Sequence, residues 1–333
     1  MAVVAVGLAL AWVIGLSQIV VPFALRAGSP HPAEEYPYSN ADAAEARADL
    51  EAASEPGYSV TSLEERTQEI PGERQIAALA EAYPDHIAET AIRKDQWAAR
   101  IDDTWYYFAR GRMLPHELLD EYQAYTGVRL YRYRTGPAQL PEIDAARAEQ
   151  LRRRTREREA DPPVRHNGFL DALYGVSSAR EADQKMERIR FLGLSTRVHP
   201  MVVEPLRRVE TAIRELMQQD PEIRRFVESL ASAGGYSWRE IAGTASRSYH
   251  SYGIAIDLIP RSYRGSFGYW RWAMQAGVED WWDVPLEHRW QVPQAVIDAF
   301  EAEEFIWGGK WLFFDPIHFE YRPELFILSG YRE

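Results

Sequence analysis

The side chains best suited to chemistry fall in two runs of the C-terminal third, Ser248-Tyr249-His250-Ser251-Tyr252-Gly253-Ile254-Ala255-Ile256-Asp257 and Asp315-Pro316-Ile317-His318-Phe319-Glu320-Tyr321. They offer imidazoles at His250 and His318 and carboxylates at Asp257 and Asp315. Two imidazoles and one carboxylate can hold Zn²⁺ with the fourth position open, the arrangement of a catalytic rather than a structural site. The chain contains no cysteine, so thiolate ligands and disulfides are excluded. The other histidines, His31, His86, His116, His166, His199 and His288, stand alone in the sequence.

The spacing from His250 to Asp257 is odd, so on one uninterrupted strand the two side chains would point to opposite faces. A turn at Gly253 removes the conflict by letting the chain double back, so that both converge on one ion. Ala255 shares the strand face of Asp257 and leaves room for a metal. His318 is the third ligand. Asp315, just upstream of it, is placed to act as general base on the zinc-bound water, whose pKa the ion lowers towards neutrality. Pro316 favours a defined loop over a helix between the two.

The pattern Ser248-x-His250-x-x-Gly253-x-Ala255-x-Asp257, followed by Asp315-x-x-His318, resembles the zinc peptidases of the VanY-type D-alanyl-D-alanine carboxypeptidase family, which includes phage L-alanyl-D-glutamate endopeptidases. Phe305-Ile306-Trp307-Gly308-Gly309-Lys310-Trp311 adds to the likeness, which spans roughly Val198 to Arg322. The resemblance implies a Hedgehog-like α+β fold, His250, Asp257 and His318 as zinc ligands, and Asp315 as base. It also implies an upstream arginine that binds a substrate carboxylate or the scissile carbonyl. Arg239 and Arg247 are both candidates, with Arg239 preferred because a bidentate guanidinium needs a fixed strand position. Ser248 would orient the ligand loop and adjoin the substrate. The implied function is hydrolysis of peptidoglycan stem peptides, as a D,D-carboxypeptidase or an endopeptidase. The alternatives are a non-catalytic, zinc-stabilised binding module of the cell envelope and an anchored scaffold.

The rest of the chain must position and deliver that site. Residues 1–27 carry no charge before Arg26 and are long enough to cross a bilayer, so they are expected to anchor the protein in a membrane, with a cleaved signal peptide as the alternative. Residues 28–70 have the composition of a solvated stalk. Residues 71–141 are expected to form a small α+β accessory region, with strands meeting at Asp102-Asp103 and a helix over 117–125. Residues 142–163 read as a charged, solvated spacer helix ending at Pro162-Pro163. Residues 164–333 form the peptidase domain, with helices over 180–192, 203–218 and 293–305 and strands over 236–241, 254–259 and 311–321. Helices followed by a strand-rich end indicate α+β overall. A net charge of −12 argues against a nucleic-acid partner. The expected location is extracytoplasmic, in the cell envelope, where stem peptides lie.

Overall fold

The structure is a computed structural model that describes residues 70–330 apart from Pro163, Ala242 and Gly243. The expected membrane segment and all but the last residue of the stalk lie outside the described residues. Among the described residues, no helix is long and apolar enough to cross a membrane.

Helix α1 (Glu73–Ala82) precedes an antiparallel meander of β1 (Ile87–Arg93), β2 (Gln96–Ile101), β3 (Thr104–Ala109) and β4 (Arg112–Pro115). The turn at Asp102-Asp103 joins β2 to β3 as its residue types demand, with Asp102 at a positive φ of 49°. No helix forms over 117–125. Two short 3₁₀ turns stand there and bury no side chain, so nothing offsets the cost of nucleating a helix of that length.

Helix α2 (Ala145–Ala160) begins at Asp144, whose carboxylate accepts from the Arg147 amide at 2.7 Å. It is not the solvated spacer expected. Ala148, Leu151 and Thr155 are buried, and Arg152 clasps Asp280 through two bonds of 2.8 and 2.7 Å. The apolar stripe docks on a cluster built from Tyr269, Trp270, Trp281, Trp282, Phe313 and Phe314.

The C-terminal part contains α3 (Gly168–Tyr174), α4 (Ala179–Lys185), the hairpin β5 (Glu187–Phe191) and β6 (Leu194–Val198), then α5 (Val203–Gln219) and α6 (Pro221–Ser229). The helix expected over 180–192 stops at Lys185. Beyond it Ile189 and Phe191 alternate with Arg188 and Arg190, a period of two, and a Leu192-Gly193 turn closes the hairpin.

The central sheet comprises β7 (Leu230–Gly234), β8 (Ala255–Pro260), β9 (Phe305–Trp307) and β10 (His318–Tyr321), ordered β7-β8-β10-β9 with every pairing antiparallel. Helices α7 (Trp270–Gln275) and α8 (Gln294–Glu301) lie between β8 and β9, and α9 (Pro323–Leu328) ends the described chain. The mixed fold agrees with a peptidase-like C-terminal domain, but its strands sit differently from the expectation. Residues 236–241 form no strand, because their backbone bonds to the turn carrying His250 instead of to a sheet. Only the last four residues of the expected strand over 311–321 are extended.

One apolar core runs from Ile76 and Leu79 of α1 to Leu325 and Phe326 of α9, so the meander and the C-terminal part share it. Tyr133 fastens the two together. Its hydroxyl donates to Glu301 at 2.6 Å and accepts from the Trp307 amide at 3.0 Å. We therefore expect Tyr133→Phe to cost about 1–3 kcal/mol in urea unfolding, since it leaves buried groups unpaired. Trp fluorescence and far-UV circular dichroism should report a single coincident transition; separate transitions would contradict the shared core.

Candidate metal centre

Asp257 and His318 face each other across the β8–β10 ladder as direct register partners. Antiparallel pairing thus fixes their separation through the backbone before any side chain acts. His250 arrives from outside the sheet, on a 3₁₀ turn over Tyr249–Tyr252. Ser248 caps that turn by accepting the His250 amide at 3.2 Å, and Gly253 ends it at φ 68°. A Cβ at Gly253 would lie 2.7 Å from the His199 nitrogen, so only glycine permits this close approach.

The ligand atoms of His250, Asp257 and His318 all lie within 4.8 Å of one another, and all three residues are buried. His250 Nδ1 donates to the Gly235 carbonyl at 2.6 Å, which leaves Nε2 facing Asp257 Oδ2 at 3.1 Å. His318 Nε2 donates to Glu320 at 3.2 Å, which leaves Nδ1 facing Asp257 Oδ1 at 2.8 Å. These outer bonds assign both tautomers and present two nitrogen lone pairs to one carboxylate. Three acceptors converging in this way repel one another, and a cation between them turns the repulsion into coordination. The donor set of two nitrogens and one carboxylate oxygen fits zinc.

Asp315 is buried, 2 % exposed, on the loop leading into His318: its amide donates to the Gly308 carbonyl at 2.9 Å and its carbonyl accepts from the His318 amide at 3.1 Å. A Cβ at Gly308 would approach the Asp315 carbonyl to 2.6 Å, and Trp307 Nε1 donates to the Pro316 carbonyl at 2.8 Å. The Trp-Gly-Gly run therefore shapes the loop that carries Asp315. Burial pushes the Tyr263 hydroxyl pKa up, and the charges of Asp315 and Asp257 push it further.

The two candidate arginines part company. Arg247 pairs with Asp171 of α3 and lies 4.3 Å over the Trp238 ring. Arg239 is held through its backbone against the ligand turn: its amide donates to Ser251 Oγ at 2.9 Å, and its carbonyl accepts from Ser251 Oγ at 2.8 Å and the Ser248 amide at 3.0 Å. Of the remaining histidines, His199 is a structural member of the core. Its ring bridges the Tyr174 carbonyl and the Met201 amide, and burial lowers its pKa to about 4.

Residues 242–321 match the family model described as D-alanyl-D-alanine carboxypeptidase. The carboxypeptidase match contains all three members of the metal group together with Asp315 and Glu320. Match and geometry together support a zinc peptidase of the peptidoglycan type at the level of the family. Residues 75–129, which include the meander, match a model described as a domain of unknown function. No curated protein and no solved structure matches the chain.

Sequence reasoning missed what supports Glu320. Arg322 is buried and donates to Glu320 at 3.5 Å, Glu324 at 2.5 Å and the Arg129 carbonyl at 2.7 Å, while Tyr83 of α1 donates to Glu324 at 2.9 Å. Burial alone would lower the Arg322 pKa, but Glu324, Tyr249 and Glu320 outweigh it and raise it. The signal was present as a period of two, with His318, Glu320, Arg322 and Glu324 alternating with Phe319, Tyr321, Pro323 and Leu325. Because Glu320 fixes the ring of His318, Glu320→Gln should weaken zinc binding about 10–100-fold in chelator competition. Arg247→Gln should leave zinc affinity unchanged in the same assay, and a loss there would tie the Asp171 pair to the metal centre.

Proposed function

We propose that this protein hydrolyses peptide bonds in peptidoglycan stem peptides, as a D,D-carboxypeptidase or an endopeptidase. The observation that carries the reading is a buried carboxylate, Asp315, on the loop bonded to the His318 amide of a three-residue metal group, inside the stretch that matches the carboxypeptidase model. A zinc ion held by His250, Asp257 and His318 would act as a Lewis acid on the scissile carbonyl and lower the pKa of the attacking water. Asp315 would accept the proton of that water and return it to the leaving amine. A module that only bound its partner would have no use for a base at this position.

Arg239 is the residue we assign to the substrate carboxylate or carbonyl. Its backbone is tied to the turn bearing His250, so a guanidinium launched from it keeps a fixed relation to the metal group, whereas Arg247 is committed to Asp171. Stem peptides lie outside the cytoplasmic membrane, so the proposed site of action is the cell envelope, with residues 1–27 as tether or export signal.

The test is incubation of the full-length protein with purified muropeptides, with and without chelator, and product identification by mass. Loss of a terminal D-Ala would define the carboxypeptidase and an internal cut the endopeptidase. No zinc-dependent product would sink the hydrolytic reading. Asp315→Ala should retain zinc and lower kcat about 10²–10⁴-fold, whereas His250→Ala should lose both zinc and turnover.

A further inference from the structure

We propose that the cavity enclosed by the β3–β4 turn, α2 and the face of the C-terminal part beside Glu320 binds a small, multiply charged anion carrying carboxylate or phosphate groups. Its volume is about 490 Å³, the size of a small-ligand site. Arg110, Arg112, Arg129, Arg147, Arg154 and Arg165 line it. Arg322 lines it as well, but Glu320 and Glu324 neutralise that charge. Apart from Glu320, the acids on the wall are Glu157, which Arg153 engages at 3.5 Å, and Asp161 at the end of α2. In a chain of net charge −12, this reverses the average. Burial and the neighbouring Arg154 charge lower the Arg147 pKa against the opposing pull of Asp144.

Two buried groups on the wall point to an occupant. Arg165 is 6 % exposed; its Nη2 donates to the Arg247 carbonyl and its guanidinium lies 4.8 Å from the Tyr249 ring. Its Nε–H has no hydrogen-bond partner, and no carboxylate lies within ion-pair distance of it among the described residues. Asp171 feels the Arg165 charge, yet its carboxylate is already taken by Arg247 and Tyr252. Thr155, also 6 % exposed, has a hydroxyl with no partner among the described residues. Buried donors left unmade are costly, and native interiors rarely keep them. An oxyanion suits either group, because the hydroxyl can donate and the guanidinium edge matches carboxylate and phosphate alike.

The six arginines and Thr155 all lie outside residues 242–321, the stretch that matches the carboxypeptidase model, whereas Tyr249, Trp311 and Glu320 bring that stretch into the opposite wall. The cavity shares a wall with the metal centre. Glu320 and Trp311 line the cavity, and they flank His318, with a bond of 3.2 Å from the one and a ring separation of 5.5 Å from the other. The inference holds whether or not the metal centre cleaves peptides.

The experiment is isothermal titration of the full-length protein with a tri-glutamate peptide and, separately, with tripolyphosphate. Saturable binding of either is expected, weakening steeply with added salt. Binding of the peptide alone identifies carboxylate as the ligand chemistry, and binding of tripolyphosphate alone identifies phosphate. The double variant Arg110→Gln, Arg154→Gln, at exposed positions, and the buried variant Thr155→Val should each reduce affinity about tenfold or more. His250→Ala should bind as the wild type does. Absence of saturable binding by both probes, binding undiminished in the arginine and threonine variants, or binding lost in His250→Ala, which would place the anion on the metal centre, each overturns the proposal.

Discussion

A single carboxylate held between two imidazoles organises the C-terminal half of this protein. Asp257 sits 2.8 Å from His318 and 3.1 Å from His250, and in each pair the backbone brings the two residues together. The first is set by strand register, where a slip of one residue would turn His318 out of the site. The second is set by a short turn, capped by Ser248 and ended by Gly253, that packs against the His199 backbone. The sheet thus supplies two ligands at a spacing it enforces everywhere along its length. The turn brings in the third from a direction no strand could provide.

That arrangement places buried charge in the middle of a sheet, and the surrounding structure answers it with further charge. His318 leans on Glu320, Glu320 on Arg322, and Arg322 on Glu324, all nearly inaccessible to solvent. Isolated buried ions are prohibitively expensive, whereas a chain of alternating sign with its remaining donors satisfied is not. The last satisfactions come from outside the C-terminal part: the carbonyls of Val128 and Arg129 accept from Arg322, and Tyr83 donates to Glu324. The region that includes the meander is therefore bound into the environment of the metal centre as well as into the shared core.

The metal group was legible in the sequence because ligand chemistry is strict about residue type, and because Gly253 and Ala255 mark where the backbone must turn and where it must leave space. Regular elements with a strong period were legible too, such as the buried stripe of Val203, Leu206, Val209 and Ile213 on α5. What escaped depended on partners distant in the chain. Helix α2 reads as solvated because its charges outnumber its apolar residues, yet Ala148 and Leu151 suffice to dock it once an aromatic cluster from far downstream is present. Residues 236–241 have the composition of a strand and lose that form to a competing set of bonds with the ligand turn. Arg247 and Arg239 are equivalent by residue type, and what separates them is the position of Asp171 and the bonds that tie the Arg239 backbone to the ligand turn.

Net charge, read alone, misdescribes the electrostatics around the metal centre. The chain as a whole is acidic, which disfavours polyanionic polymers as partners, but fields are local and a low-dielectric wall focuses them. Beside His318 the protein gathers guanidinium groups from the meander, from α2 and from the segment after it. None of these elements lies in the stretch that matches the carboxypeptidase model, yet all converge on the wall formed by Glu320 and Trp311. A metal centre alone requires only its ligands and their immediate supports. The cationic cavity beside it is therefore built mainly by elements added to that stretch, from the meander, α2 and the segment that follows.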